Sequence, residues 1–411
     1  MKKSIYTISI ILTSAFTGCI GGDDAPIISA PVEDNVVSVS GMITTSTTWT
    51  NNNIYVLNQK VIVSSGVVLT IQAGTIIKGT EGTGSLASAL IVAKGGKLNA
   101  VGSAIAPIIF TSINDNITIG QTAGTNLDET NSGLWGGLIV LGNAPCSFSG
   151  DVEVLQIEGI PADDTFGLYG GSDAADDSGV YQYISIRHGG ALIGEGNEIN
   201  GLTLGGVGSG TVIENIEVVG NVDDGIEFFG GTVNASNLLI WAQGDDALDI
   251  DQAYSGTINN AVVVLGTNSD HAFEVDGPEG AATGSFTLNN ITIIGNSVTE
   301  DGEYADYRSG AMGSTENVYA YGFKETSDVE LDNDGVATNY NNGLLTFGAW
   351  EIVLPTGVSD VTSIFVNKAD SVEVSGFGST ATAVTEGSNT VGATTSLLSW
   401  TYANSKASLG F

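Results

Sequence analysis

The chain has 411 residues and carries 46 acidic against 11 basic side chains, a formal charge of −35. With no basic stripe to neutralise phosphates, nucleic-acid binding is excluded. Apolar residues make up 42% of the chain, too many for a disordered acidic tail. Its 57 glycines, with abundant Thr, Asn and Val and few Lys or Arg, argue against a helical bundle.

Lys2 and Lys3 precede a short apolar run, Ile5 to Phe16, which is too short to span a bilayer. The run ends in Phe16-Thr17-Gly18-Cys19, which resembles a bacterial lipobox. That resemblance implies a signal peptide over residues 1–18, lipidation of Cys19 and a tether over residues 19–39. An ordinary secretory signal with an incidental cysteine is the alternative. Asp23 and Asp24 resemble the surface-export signal of Bacteroidetes lipoproteins. This implies an outer-membrane lipoprotein exposed at the cell surface, with the lipid anchor as its membrane contact. Cleavage removes Lys2 and Lys3 and no acid, so the mature charge is about −37. Cys146 is then left without a partner and reads as a small buried hydrophobe.

From about residue 40 the sequence consists of short β-branched runs separated by Gly and Asn, without helical periodicity. Ile54–Leu57, Ala89–Ala93 and Ile108–Thr111 are examples. A repeat becomes plain where three segments align. These are Val222-Asp223-Asp224-Gly225-Ile226-Glu227-Phe228, Gly244-Asp245-Asp246-Ala247-Leu248-Asp249-Ile250 and Ser269-Asp270-His271-Ala272-Phe273-Glu274-Val275. The offsets are 22 and 25 residues, and Asn200-Gly201-Leu202-Thr203-Leu204 is an earlier copy. This period predicts an all-β chain: a single right-handed parallel β-helix, or solenoid, over residues 40–350. Equivalent residues stack about 4.8 Å apart. A β-sandwich or jelly roll is the main rival. Residues 351–411 lose the register and are expected to form a C-terminal capping segment over the open end.

Strand alternation assigns the faces. Ile226, Phe228, Leu248, Ile250, Phe273 and Val275 point inward. Glu227, Asp249 and Glu274 point outward on successive coils, as do Phe229, Asp251 and Asp276. A turn ladder runs Asn200, Asp224, Asp246, His271, beside a second of Asp223, Asp245 and Asp270. Two carboxylates at 5 Å repel by about 3 kcal/mol at an effective dielectric near 20. A shared proton, a bound cation or a basic neighbour must offset this. Arg308 is placed to lie beside Asp276 on the next coil. Glu227, Asp249, Asp251 and Glu274 are candidate oxygen ligands for Ca²⁺.

The pattern resembles the polygalacturonase family of glycoside hydrolases over residues 220–310. Val222-Asp223-Asp224-Gly225 stands for N-T-D-G, Gly244-Asp245-Asp246 for the D-D pair, Asp270-His271-Ala272 for G-H-G, and Arg308 for the R of R-I-K. The resemblance implies that Asp245 is the general acid and that Asp224 and Asp246 hold or activate water. His271 would tune the acid, and Arg308 would hold the sugar. Glu227, Asp249, Glu274 and Asp276 line the same face as substrate contacts. The departures are the missing N-T, Ala272 for glycine, and Gly310 in place of the lysine that grips a substrate carboxylate.

A wider likeness, over residues 40–350, is to Bacteroidetes pectin-lyase-like β-helix surface lipoproteins. Its carriers are Trp49-Thr50-Asn51-Asn52-Asn53, Ala73-Gly74-Thr75-Ile76-Ile77-Lys78-Gly79, Gly133-Leu134-Trp135-Gly136-Gly137, Ile186-Arg187-His188-Gly189-Gly190 and Gly225-Ile226-Glu227-Phe228-Phe229. It implies fold and surface location.

Simpler readings stand beside these. A repeated Asp at a coil corner can merely cap turns, and Arg187-His188 is equally a structural turn. The loops Ser112–Ser132 and Asp163–Ser178 would flank a groove, bind Ca²⁺ or be solvated. Two functions follow. One is a monomeric surface protein that binds an extracellular polysaccharide and hydrolyses it. The other is a non-catalytic, Ca²⁺-stabilised adhesin or glycan-binding protein.

Overall fold

The chain winds into coils because its strands are short and, apart from the antiparallel loop pair Leu155–Gln156 and Leu168–Tyr169, pair in parallel with their equivalents on neighbouring coils. The computed structural model describes residues 35–161, 164–192, 199–299 and 302–411. The signal sequence, Cys19 and Asp163 therefore lie outside the described residues. Among these, 25 strands join in one continuous ladder system whose pairings are all parallel. This is the parallel β-helix that the repeat predicts.

Each coil contributes to three sheets. The first contains Leu138–Leu141, Leu202–Gly205, Ile226–Phe229, Leu248–Asp251, His271–Val275, Glu303–Tyr307 and Val329–Leu331. The other two share long strands that bend in the middle: Val212–Val219, Asn234–Trp241, Thr257–Val264, Phe286–Ile294 and Gly313–Tyr321. At each bend stands one asparagine with positive φ: Asn215, Asn237, Asn260, Asn290 and Asn317. Asparagine tolerates this left-handed conformation better than other side chains. The stacked amides also bond across coils. Asn260 Nδ2 donates to Asn237 Oδ1 at 2.8 Å, and Asn317 Nδ2 to Asn289 Oδ1 at 2.9 Å.

Ile226, Phe228, Leu248, Ile250, Phe273 and Val275 lie in the central core, as alternation requires. Full burial of each such side chain contributes about 1.5–3 kcal/mol. The ladders continue past residue 350. Phe365–Asn367 pairs with Val329–Leu331, and Ala381–Ala383 pairs with Trp350–Ile352. Tyr340, Phe347, Phe365 and Phe377 pack ring against ring over the last coils and close the interior. The remaining residues return along the flank. Leu398, Tyr402 and Ala403 cover Val219, Leu239, Val262 and Val264. Arg187 lies 4.2 Å over the Tyr402 ring.

Candidate functional site

The first sheet carries an unbroken outward column of five acids. Thr203 pairs with Glu227, Glu227 with Asp249, Asp249 with Glu274, Glu274 with Asp306, and Asp306 with Glu330. On the coils before Thr203 the same position holds Ile139 and Ile91. There the loop residues Phe148, Ile157 and Ile160 cover the sheet. The column turns acidic where this apolar cover ends.

Two residues further along each strand runs a mixed column. Phe229 pairs with Asp251. Backbone bonds then carry the register through Asp276, Arg308, Asp332 and Lys368. Arg308 sits where the sequence places it. Its Nε donates to Asp276 Oδ2 at 2.8 Å, and its Nη2 donates to Glu274 Oε1. Lys368 pairs with Glu330 and lies 3.6 Å from Asp328 Oδ2. Beside this column, Gly280 N donates to Ser147 Oγ at 3.0 Å and Ala281 N to Asp151 Oδ1 at 2.7 Å. These contacts join two loops into a wall.

The turn ladder is also in place and longer than expected. Asp246 N donates to Asp224 Oδ1 at 3.0 Å, and His271 N donates to Asp246 Oδ1 at 2.8 Å. His271 pairs with Glu303 on the next coil. Asn200 begins the ladder, and its Nδ2 donates to Glu227 Oε2.

Burial separates the carboxyls chemically. Asp224, Glu227 and Asp249 are buried, so they are not a solvent-exposed ladder. Burial, and then repulsion from neighbouring acids (Asp223 and Asp246 for Asp224, Asp224 for Glu227, Glu227 for Asp249), drives all three well above the usual carboxylate range. Asp251, Glu303 and Asp306 are pushed up to about 7, in each case first by burial. Asp245 is exposed at its corner. Partial burial, then Asp246 and Asp270, push it up to about 6. Burial opposes the charge on His271, but the Asp246 hydrogen bond and the nearby acids outweigh it and raise its pKa to about 9.

Carboxylate oxygens converge in small groups. Those of Asp223, Asp224 and Asp245 lie within 4.8 Å of one another, as do those of Asp224, Glu227 and Asp249. A third group joins Asp246, His271 and Glu274. The four expected Ca²⁺ ligands therefore do not converge as one set. Glu227 and Asp249 meet Asp224, Glu274 meets His271, and Asp251 belongs to the column two residues on. The reason is stacking: Glu227, Asp249 and Glu274 occupy three successive coils, so a compact ligand set is completed from the adjacent turn.

Sequence reasoning missed Glu303, Asp306, Asp328, Glu330, Asp332 and Lys368. The apolar–acid–apolar triplets Ala305-Asp306-Tyr307 and Val329-Glu330-Leu331 carry the signal. A 32-residue step from Glu274 to Asp306 breaks the 22–25 residue spacing, which the 24-residue step to Glu330 resumes.

Arg187 and His188 are both buried within the coils. Arg187 is buried, with Nε donating to Ser185 Oγ at 2.7 Å and Nη1 to Thr122 O at 2.9 Å. His188 Nδ1 lies 2.8 Å from Asn131 O. The two acidic loops are also built in. Lys78 Nζ donates to Asp115 O at 2.7 Å, and Lys97 Nζ pairs with Asp177 at 2.6 Å. Cys146 is half-buried, and burial pushes its thiol up to about 12.

A family model described as a pectate-lyase-like β-helix domain matches residues 41–404. The chain belongs to the pectate-lyase-like β-helix family. No curated protein and no solved structure matches it. The pectate-lyase-like match takes in both the acid-bearing sheet and most of the returning C-terminal segment. Membership of this family points to a carbohydrate-related function.

Proposed function

We propose that the protein is a surface lipoprotein, tethered through Cys19, that binds a polysaccharide along its carboxylate-lined sheet and hydrolyses it. The observation that carries this reading is Asp245. Its carboxyl is exposed, has a pKa of about 6, and stands within 4.8 Å of Asp223 and Asp224 oxygens. A carboxylic acid that holds its proton near neutral pH beside other carboxyls suits general-acid cleavage of a glycosidic bond. Asp245 protonates the leaving oxygen. Asp224 and Asp246 flank it and orient water. His271, cationic at neutral pH, fixes Asp246. Arg308, Glu274 and Asp276 bind sugar hydroxyls further along the sheet. A net charge near −37 repels polyuronides, so the substrate is a neutral glycan. The test is reducing-end release from a panel of neutral and acidic glycans by the wild type and Asp245→Asn. Hydrolysis lost in D245N, and falling as pH rises above about 6, supports the reading. No release from any glycan overturns it.

A second reading has its own observation. Asp224, Glu227 and Asp249 form a buried oxygen triad, and both Asp249 Oδ1 and Asn200 Oδ1 lack a hydrogen-bond partner. Orphaned buried oxygens beside three carboxyls fit a hard cation such as Ca²⁺. In this reading the ion neutralises the column and the protein is a non-catalytic glycan-binding adhesin. Stabilisation by Ca²⁺ without glycan cleavage is its signature.

A further inference from the structure

Beside the acid-bearing sheet, at the turns that lead into it, the solenoid opens a cavity of about 310 Å³. Its walls include Trp241, Glu129, Ser132, Asn268 and Asn296, with Val222 at the rim and 39% exposed. Trp241 ends one long strand, and Asn268 lies in the connection after the long strand of the next coil, Thr257–Val264. Glu129 and Ser132 come from the 112–132 loop, which is held close because Gly220 has no Cβ. A Cβ there would meet the Glu129 and Asn131 carbonyl oxygens at 2.9 Å. Val222 and Gly244 line the cavity and directly precede Asp223 and Asp245. The cavity therefore lies beside the turns that carry Asp223 and Asp245.

The lining has the chemistry of a sugar site. The indole of Trp241, 7% exposed, offers an apolar edge to the C–H groups of a pyranose. The amides of Asn268 and Asn296 supply donors and acceptors, and Glu129 accepts from hydroxyls. The Asn268 amide makes no hydrogen bond among the described residues, and the Asn296 Oδ1 accepts one from Val298 N at 3.1 Å. Glu129 is the one charged residue among the lining residues, and Asp223 and Asp245 stand alongside. This negative setting disfavours a uronate. The volume falls at the small end of ligand pockets, enough for one or two sugar units.

We propose that this cavity is a binding subsite for a neutral hexose unit of the glycan, holding it next to Asp223 and Asp245. The proposal rests on the glycan reading above and names where one unit binds. It is tested with the full mature chain by saturation-transfer NMR and calorimetry. The probes are neutral mono- and disaccharides and the matching uronates. Val222→Trp closes the rim from the solvent side. Asn268→Ala and Asn296→Ala remove one amide each at the surface. Neutral sugars should bind the wild type, weaken at least about tenfold in V222W and weaken about fivefold in each amide variant. Binding is read without turnover, so a wild type that binds neutral sugars but releases no reducing ends keeps this site and overturns only the hydrolysis reading. Absence of sugar binding in the wild type, binding that survives V222W, or equal binding of uronates would overturn the proposal. An unchanged melting curve for the amide variants rules out loss through misfolding.

Discussion

His271 presents both its backbone N–H and its ring Nδ1 to a single oxygen, Oδ1 of Asp246, each at 2.8 Å. The bond links two successive coils and places a cation inside a row of acids. Without it, Asp246 would add another charge to the repulsion already shared by Asp224, Asp245 and Glu274.

This contact sets a pH dependence. The folded-state pKa of His271 is about 9, against 6.5 as the reference value. Stability from the raised pKa is fully present below about 6.5 and is lost as pH rises through 9. The span is worth about 3 kcal/mol. His271→Gln should therefore lower Tm at pH 6 and have little effect at pH 10. An NMR titration of the ring, with His188 as internal comparison, should place His271 near 9.

Three acids from the neighbouring ladders add a second dependence of the same direction. Asp251, Glu303 and Asp306 hold their protons to about pH 7, whereas free carboxyls lose them near 4. The folded state then binds more protons than the unfolded one between about pH 4 and 7. Stability falls as pH rises across that window. Tm in metal-free buffer should be higher at pH 5 than at pH 8. Glu227→Gln removes a buried carboxyl that repels its neighbours once ionised, so it should flatten this fall and raise Tm most at the alkaline end.

Calcium should act only when the triad is ionised. Adding Ca²⁺ at pH 8 should raise Tm, by about 2.7 kcal/mol at a hundredfold excess over Kd. At pH 5 the effect should shrink, because protons compete for the same oxygens. Asp249→Asn should abolish the Ca²⁺ response. A response unchanged in D249N would place the ion elsewhere.

Arg308 bridges Glu274 and Asp276 on the coil before its own. Its side chain is 37% exposed, so solvent screens part of the attraction. Arg308→Ala should destabilise by about 1 kcal/mol in chemical denaturation. It should also weaken glycan binding more than Lys368→Ala, which perturbs the far end of the column. Equal losses in both variants would deny Arg308 a specific role at the sugar.

The C-terminal segment is expected to act as a clamp. Ala403 N donates to Glu217 Oε1 at 2.7 Å, and Tyr402 OH donates to Leu127 O at 3.1 Å. Removing residues 395–411 would bare Val219, Leu239, Val262 and Val264. The truncated protein should lose several degrees in Tm and bind a hydrophobic dye. Retention of the wild-type Tm would reduce the segment to a passive tail.

The β-helix and the acid register were legible in the residues because both depend on local repetition. Apolar residues at Ile226, Leu248 and Phe273 recur with one turn motif, and strand alternation then fixes the side of Glu227, Asp249 and Glu274. Arg308 was legible for the same reason, since one further coil brings it to Asp276. Chain packing decided the rest. Whether an outward carboxylate faces water depends on loops and neighbouring coils, and these bury Asp224, Glu227 and Asp249 while leaving Asp245 exposed. That difference decides which acid can exchange a proton with a ligand. The extension through Asp306 and Glu330 was hidden by one loop insertion, between Glu274 and Asp306, that changes the spacing but not the stacking. The cavity at Trp241 joins four successive turns to a loop some 90 residues before the first of them, a proximity that no local pattern encodes. Periodicity thus specifies what repeats along the solenoid axis. Burial, ion pairing and pocket shape arise from contacts around it, and those exist only once the coils have stacked.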